Sequence, residues 1–156
     1  MHAFRLVGID PAPFEPLFLL DDEGLARHGA VRCIATESPG FPCRISLEDA
    51  AVGDELLLLP FEHQPGASPY RASGPIFVRR GARRAVLPPG VVPEYVTRRL
   101  MSLRAYDAAH RMVDACVCEG VDAAAAIGRL VANADVAYLH LHNAKRGCFS
   151  CQVDRS

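Results

Sequence analysis

The segment YLHLHNAKRGCFSCQVDR (138–155), close to the C-terminus, constrains the fold more than any other stretch of the sequence. Two runs of alternating side chains flank NAKRG, a five-residue segment that ends in glycine and suits the loop of a β-hairpin. With the loop at 143–147, the predicted facing pairs are His142–Cys148, His140–Ser150, Tyr138–Gln152, Leu141–Phe149, Leu139–Cys151 and Ala137–Val153.

This register predicts one apolar and one polar face, because side chains alternate across a strand. A slip by one residue would mix the two sets, so the hydrophobic pattern supports the register. Cys148 and Cys151 then point to opposite faces, which argues against a zinc knuckle that needs both sulfurs on one ion. Cys151 is interpreted as a small core residue.

The rest of the chain predicts an α+β fold with one largely antiparallel sheet and a few helices packed on one side. The run DELLLLPFEH (54–63) predicts a central strand that is covered on both faces. The segment VDAAAAIGRLVANAD (121–135) has helical spacing, with Asp122 as its N-cap. A second helix is predicted over EYVTRRLMSL (94–103), and one helical turn over SLEDA (46–50). A length of 156 residues fits one domain, 1–156.

Composition argues against several classes of partner. The net charge is −1, so no strong field attracts nucleic acid or a membrane surface, and no apolar run is long enough to span a bilayer. The N-terminus lacks the pattern of a signal peptide, which predicts a cytoplasmic protein whose six cysteines stay reduced. The sequence leaves homo-oligomer formation open.

The first functional hypothesis is a pocket for a small anionic ligand, with or without catalysis. Cys148 would be the thiol and His142 its base or ion-pair partner, since a thiolate needs a nearby cation or base. Asn143 and the amides of the hairpin loop would bind an oxyanion.

Further ligand-binding candidates lie in proline-rich loops beside apolar strands, or on the polar hairpin face: Arg44, His63, Tyr70, Arg71 and His140. Arg44 and Arg71 are suited to hold a carboxylate or phosphate through two hydrogen bonds. His63, Arg71 and His142 can share one small-ligand pocket only if they lie within about 15 Å of one another.

Two other hypotheses stay open at this point. The second is a zinc site of His140, His142 and Cys148, completed by Cys43 or His63, because alternate histidines on a strand share one side. The first hypothesis, a pocket for a small anionic ligand, needs no cofactor, whereas this second one requires a zinc ion. The third is a non-catalytic binding or assembly module in which the polar hairpin face is a surface or an interface.

Several blocks of the sequence together resemble a known family. They are GFPCRISLEDA (40–50), LLLLPFEHQP (56–65), SPYRASGPIFVR (68–79), LRAYDA (103–108) and HLHNAKRGCFSCQVDR (140–155). The chain resembles, over nearly its whole length, the bacterial family defined as domain of unknown function 1203. That resemblance implies a bacterial protein with a single domain and no assigned activity, and it assigns no catalytic residue.

Overall fold

The computed structural model describes residues 3–156 and contains ten strands. They are β1 (Phe4–Val7), β2 (Val31–Ile34), β3 (Pro42–Cys43), β4 (Glu48–Asp49), β5 (Glu55–Gln64), β6 (Ala72–Arg79), β7 (Leu100–Tyr106), β8 (Met112–Glu119), β9 (Tyr138–Asn143) and β10 (Phe149–Arg155). The α-helices are α1 (Asp22–Arg27), α2 (Glu94–Thr97) and α3 (Ala123–Val131), and short 3₁₀ helices span Glu15–Leu19 and Gly120–Asp122.

The strands form two five-stranded sheets. Sheet A has the order β1-β10-β9-β7-β8, and all of its neighbouring strands are antiparallel. Sheet B has the order β2-β5-β6-β3-β4, in which β3 and β6 pair in parallel. The predicted α+β class is confirmed, whereas the structure has two sheets where one was expected.

Each sheet has its own hydrophobic core, which explains why there are two. The amphipathic helix α3 packs its buried Ile127 and Leu130 with the apolar side chains of sheet A. Leu57 and Leu59 of β5 pack instead with the N-terminal segment, including Phe14 and Phe18. Phe149, at the start of β10, belongs to this second core, so it joins sheet A to sheet B.

Two predicted elements differ from those observed. The helix expected over 94–103 ends at Thr97, and the chain enters β7 at Leu100 because its buried side chains then alternate. The segment 46–50, expected as one helical turn, contains the short strand β4, which pairs with β3. The strand predicted from the leucine run is confirmed as β5, with Leu56 and Leu57 fully buried.

None of the helices within 3–156 has both the length and the apolar character needed to cross a bilayer.

Candidate functional site

Three histidines meet where the two sheets face each other. His140 and His142 occupy alternate positions of β9 in sheet A, and His63 lies near the end of β5 in sheet B. The ring centroid of His63 is 6.2 Å from that of His140 and 4.9 Å from that of His142. One ring nitrogen from each residue lies within 4.8 Å of the other two. These three residues are hereafter called the histidine cluster.

Packing holds the rings of the histidine cluster in place. His140 and His142 are 2% and 1% exposed, whereas His63 is partly exposed and marks the side that reaches solvent. The Phe149 ring stacks on His63 at 5.6 Å and meets His140 and His142 edge-on, at 5.2 and 5.9 Å. One aromatic side chain therefore contacts all three imidazoles.

Shifts in strand register determine where the His63 and Phe149 side chains lie. The β5–β6 pairing shifts between Phe61 and Gln64, so His63 lies outside the regular ladder. The β9–β10 pairing shifts between Phe149 and Cys151, which places Phe149 opposite His142. Such irregularities redirect side chains and are common beside functional sites.

Hydrogen bonds fix the orientation of two imidazoles. The Nδ1 atom of His142 lies 2.9 Å from the carbonyl oxygen of Gly147, which only accepts, so Nδ1 carries the proton. His140 Nε2 lies 3.2 Å from Gln152 Oε1. The amide of Gln152 is itself oriented, because its Nε2 donates to Asp154 Oδ1 at 2.7 Å.

Each ring then has one buried nitrogen that finds no hydrogen-bond partner within the described chain. These atoms are His63 Nδ1, His140 Nδ1 and His142 Nε2. A buried polar atom without a partner costs roughly 1–3 kcal/mol, so three in one place need a physical explanation.

Burial keeps the histidine cluster uncharged near neutral pH. It lowers the pKa of His140 to about 4 and that of His142 to about 3. It also lowers the pKa of His63, with the positive charge of Arg104 as the second cause. The three rings therefore keep their lone pairs at pH 7.

A cation on the neighbouring strand faces the same cluster. Arg104 of β7 is the register partner of His140, and Ser102 is the partner of His142. Arg104 Nε donates to Ser102 Oγ at 3.3 Å, and Arg104 forms no ion pair with any residue in 3–156. Its guanidinium also lowers the pKa of His140 and His142, after the larger effect of burial.

The predicted facing pair of Cys148 and His142 is wrong. His142 pairs with Phe149, and beyond the register shift Leu141 pairs with Cys151 and His140 with Gln152. The observed register thus differs from the predicted one by one residue at Phe149 and by two after it. A shift by two preserves the faces, so the inward orientation of Cys151 is confirmed by its complete burial.

Cys148 instead contacts two other predicted site residues. Its sulfur accepts a hydrogen bond from Arg44 Nη2 at 3.1 Å, and Asn143 Nδ2 lies 3.7 Å away. Arg44 is 1% exposed and also donates to the carbonyl oxygens of Phe149 and Pro42. The Arg44 guanidinium therefore ties the start of β10 to the β3 segment.

The remaining candidates lie outside the histidine cluster. Cys43 is buried, and its sulfur accepts a hydrogen bond from the backbone N–H of Arg79. Arg71 forms an exposed ion pair with Glu62 at 3.1 Å. The exposed ring of Tyr70 meets Tyr106 edge-on at 6.2 Å. A role for these residues in ligand binding stays a prediction.

A network of polar side chains beside His140 was not predicted. The Tyr138 hydroxyl accepts from Gln64 Nε2 at 2.9 Å and lies 2.7 Å from His110 Nδ1. The Tyr138 ring lies 5.3 Å from that of His140. Strand alternation does place Tyr138 on the face of His140, whereas nothing in the sequence brings His110 or Arg104 to it.

Comparisons with known proteins reach only the level of the family. No curated protein and no solved structure matches the chain. One family model, described as "Protein of unknown function (DUF1203)", matches residues 40–155, a range that includes the histidine cluster, Arg104 and Cys148. The match covers most of the 156 residues, and the chain therefore belongs to the DUF1203 family of proteins of unknown function.

Proposed function

We propose that this protein binds one divalent transition-metal ion, with zinc as the first candidate, through His63, His140 and His142. The observation that carries the proposal is the convergence of three imidazoles, each with a buried nitrogen that lacks a partner in the described chain. Lone pairs of neutral imidazoles are strong zinc ligands, and a bound ion would satisfy all three nitrogens together.

The spacing of the rings is compatible with such an ion after a small closure. Zinc–nitrogen bonds of about 2.0–2.1 Å in tetrahedral geometry hold the nitrogens about 3.3 Å apart. The ring nitrogens lie within 4.8 Å of one another, so closure needs movements of at most about 1.5 Å. The partly exposed ring of His63 can supply most of that movement by side-chain rotation.

The surroundings of the rings favour metal binding. Metal-ligating histidines usually donate their second N–H to a carbonyl or carboxylate, which fixes the tautomer. The Gly147 carbonyl oxygen has that position for His142, and Gln152 Oε1 has it for His140. The lowered pKa values of both rings remove proton competition at neutral pH.

Three histidines leave a fourth coordination position for water or a ligand from solution. Zinc sites with three protein ligands and an open position are typical of catalytic rather than structural zinc. Of the ligands in the zinc hypothesis drawn from the sequence, this proposal keeps His63, His140 and His142. It omits Cys43 and Cys148, because their sulfur atoms have contacts elsewhere.

The test is a zinc titration of the metal-free protein by isothermal calorimetry. We expect one ion per chain, and we expect His63→Gln to weaken binding by about a hundredfold or more, as loss of a ligand does. His28→Gln is the matched control, because His28 is an exposed histidine at the end of α1. Absence of zinc binding, or equal binding by the His63→Gln protein, would contradict the proposal.

A further inference from the structure

The partly buried guanidinium of Arg104 has no partner of opposite charge within residues 3–156. The other arginines predicted to bind an anion have defined partners: Arg44 contacts Cys148 and two carbonyl oxygens, and Arg71 pairs with Glu62. A guanidinium withdrawn from water without a counter-ion is unfavourable, so an anion that reaches it gains more than at an exposed arginine.

Arg104 is directed to the same face of sheet A as the histidine cluster. Register partners on adjacent antiparallel strands share a face, and Arg104 is the partner of His140. The hydrogen bond from Arg104 Nε to Ser102 Oγ draws the guanidinium along β7 toward the position beside His142. The two Nη groups make no hydrogen bond to any described residue and remain available.

We infer that the metal-loaded site binds a small oxyanion, either a carboxylate or a phosphate, with one oxygen on the ion and another on Arg104. The inference rests on the proposed metal site. An open coordination position accepts an anionic oxygen, and a planar guanidinium binds the oxygens of carboxylates and phosphates through paired hydrogen bonds. The anion would also compensate two positive centres on one face.

The anion has an approach from solution. His140 and His142 are buried, whereas His63 and Arg104 are partly exposed. A ligand therefore enters between His63 and Arg104, on the side of the cluster away from the buried rings. The Phe149 ring stacks on the face of His63 and contacts His140 and His142 edge-on, so one side of the cluster is already occupied.

Metal binding comes first in this scheme. Without the ion, the anion would be held by the guanidinium of Arg104. With the ion, the anion contacts two cationic groups, and its affinity rises. Removing Arg104 has opposite effects on the two ligands, because it weakens the anion site and relieves repulsion of the metal ion.

The experiment uses cobalt(II) as a visible probe of the metal site. The full chain is loaded with cobalt and titrated separately with inorganic phosphate and with acetate, and the change in the visible absorption bands is followed. Either anion should perturb the bands in the wild-type protein, and the tighter of the two identifies the anion class. In Arg104→Gln the dissociation constant should rise at least tenfold.

Matched variants separate charge from fold. Arg83→Gln removes an exposed arginine outside the site and should leave the anion affinity unchanged. Arg104→Gln should bind cobalt at least as tightly as wild type, which a merely structural role for Arg104 would not produce. If that variant loses cobalt, Arg104→Lys takes its place, and it should retain cobalt and show a smaller loss of anion affinity.

The outcomes distinguish the two proposals. A wild-type protein that takes up no cobalt contradicts the metal proposal and this inference with it. A protein that binds cobalt but responds to neither anion, or responds equally in Arg104→Gln and Arg83→Gln, leaves the metal proposal standing and overturns this inference alone.

Discussion

The two faces of strand β9 are built from alternate residues of one segment, yet they differ in how their groups are satisfied. On one face Leu139 and Leu141 are fully buried in the core of sheet A, with β10 and α3. On the other face His140 and His142 are almost as buried, but each has a ring nitrogen without a partner in the described chain. The apolar face stabilises the fold, whereas the histidine face costs stability and carries the proposed metal site.

Acidification should reveal this cost most strongly. The folded pKa values of about 4 for His140 and about 3 for His142 lie below the usual value near 6.5, so between these limits the unfolded chain binds more protons. The free energy of unfolding of the metal-free protein should therefore fall as pH decreases from about 6.5 to 4. Each histidine contributes about 1.4 kcal/mol per pH unit.

Denaturant titrations across this pH range measure that slope. His140→Gln should remove the contribution of one histidine, and Leu141→Ala should leave the slope unchanged while lowering every value. A free energy of unfolding that stays constant from pH 6.5 to 5 would contradict the contrast between the two faces, because it would show that burial of the histidines does not lower their pKa.

Truncation of the apolar face should have the largest effect of a single substitution. Leu141 is fully buried in the core of sheet A, so Leu141→Ala should lower the free energy of unfolding by about 3 kcal/mol, as cavity-forming substitutions do. His63→Gln in the metal-free protein should change it by less than about 1 kcal/mol, because His63 Nδ1 makes no hydrogen bond within residues 3–156. Equal losses would contradict the contrast.

Zinc should stabilise the histidine face by a similar amount. At a free zinc concentration of 100 times Kd, binding to the folded state raises the free energy of unfolding by about 2.7 kcal/mol. Thermal unfolding with and without zinc should show this increase in the wild-type protein and in the His28→Gln control. At the same zinc concentration the increase should fall to about 0.4 kcal/mol or less in His63→Gln, because its Kd is at least a hundredfold higher. A full increase in that variant would show that zinc binds at another site.

The two cysteines of the CxxC segment should respond unequally to serine. Cys151 lies in the apolar core, where an added hydroxyl without a partner costs about 2 kcal/mol. Cys148 is partly exposed, and a serine hydroxyl there can still accept from Arg44, so Cys148→Ser should cost less than about 1 kcal/mol. Zinc affinity should be unchanged in Cys148→Ser. A loss of zinc affinity in that variant would instead indicate that the Cys148 sulfur is a metal ligand.

The exposed ion pair should contribute least. Arg71 and Glu62 are largely solvated, so Arg71→Gln should change the free energy of unfolding by less than about 0.5 kcal/mol. Zinc binding should be unaffected. A large loss of zinc or anion affinity in Arg71→Gln would indicate that Arg71 belongs to the site, and it would contradict the assignment of Arg104 as the anion-binding arginine.

Strand alternation correctly predicted the face of several hairpin residues, whereas it placed Phe149 on the wrong face. The side chains of His140, His142 and Tyr138 share one face, and Cys151 is buried on the other, because these features depend on parity within one segment. The exact pairing was not predictable, since the register shift at the start of β10 places Phe149 on the histidine side. The register shift has a tertiary cause, because the Phe149 side chain is buried in the core of sheet B.

Which residues form the site was only partly predictable from the sequence, again because tertiary packing decides it. His63 was a candidate because it follows a buried leucine run, but its contact with β9 depends on how two sheets pack. Arg104 alternates with buried residues in β7, yet its position beside His140 follows from the β7–β9 pairing between strands distant in sequence. Local pattern does not encode such pairings.

X-ray absorption at the zinc edge of the zinc-loaded protein tests the central claim most directly. The claim predicts a first shell of nitrogen or oxygen atoms at about 2.0–2.1 Å, with multiple scattering from three imidazoles and no sulfur. A sulfur shell at about 2.3 Å, or fewer than three imidazoles, would contradict the assignment of His63, His140 and His142 as the metal ligands.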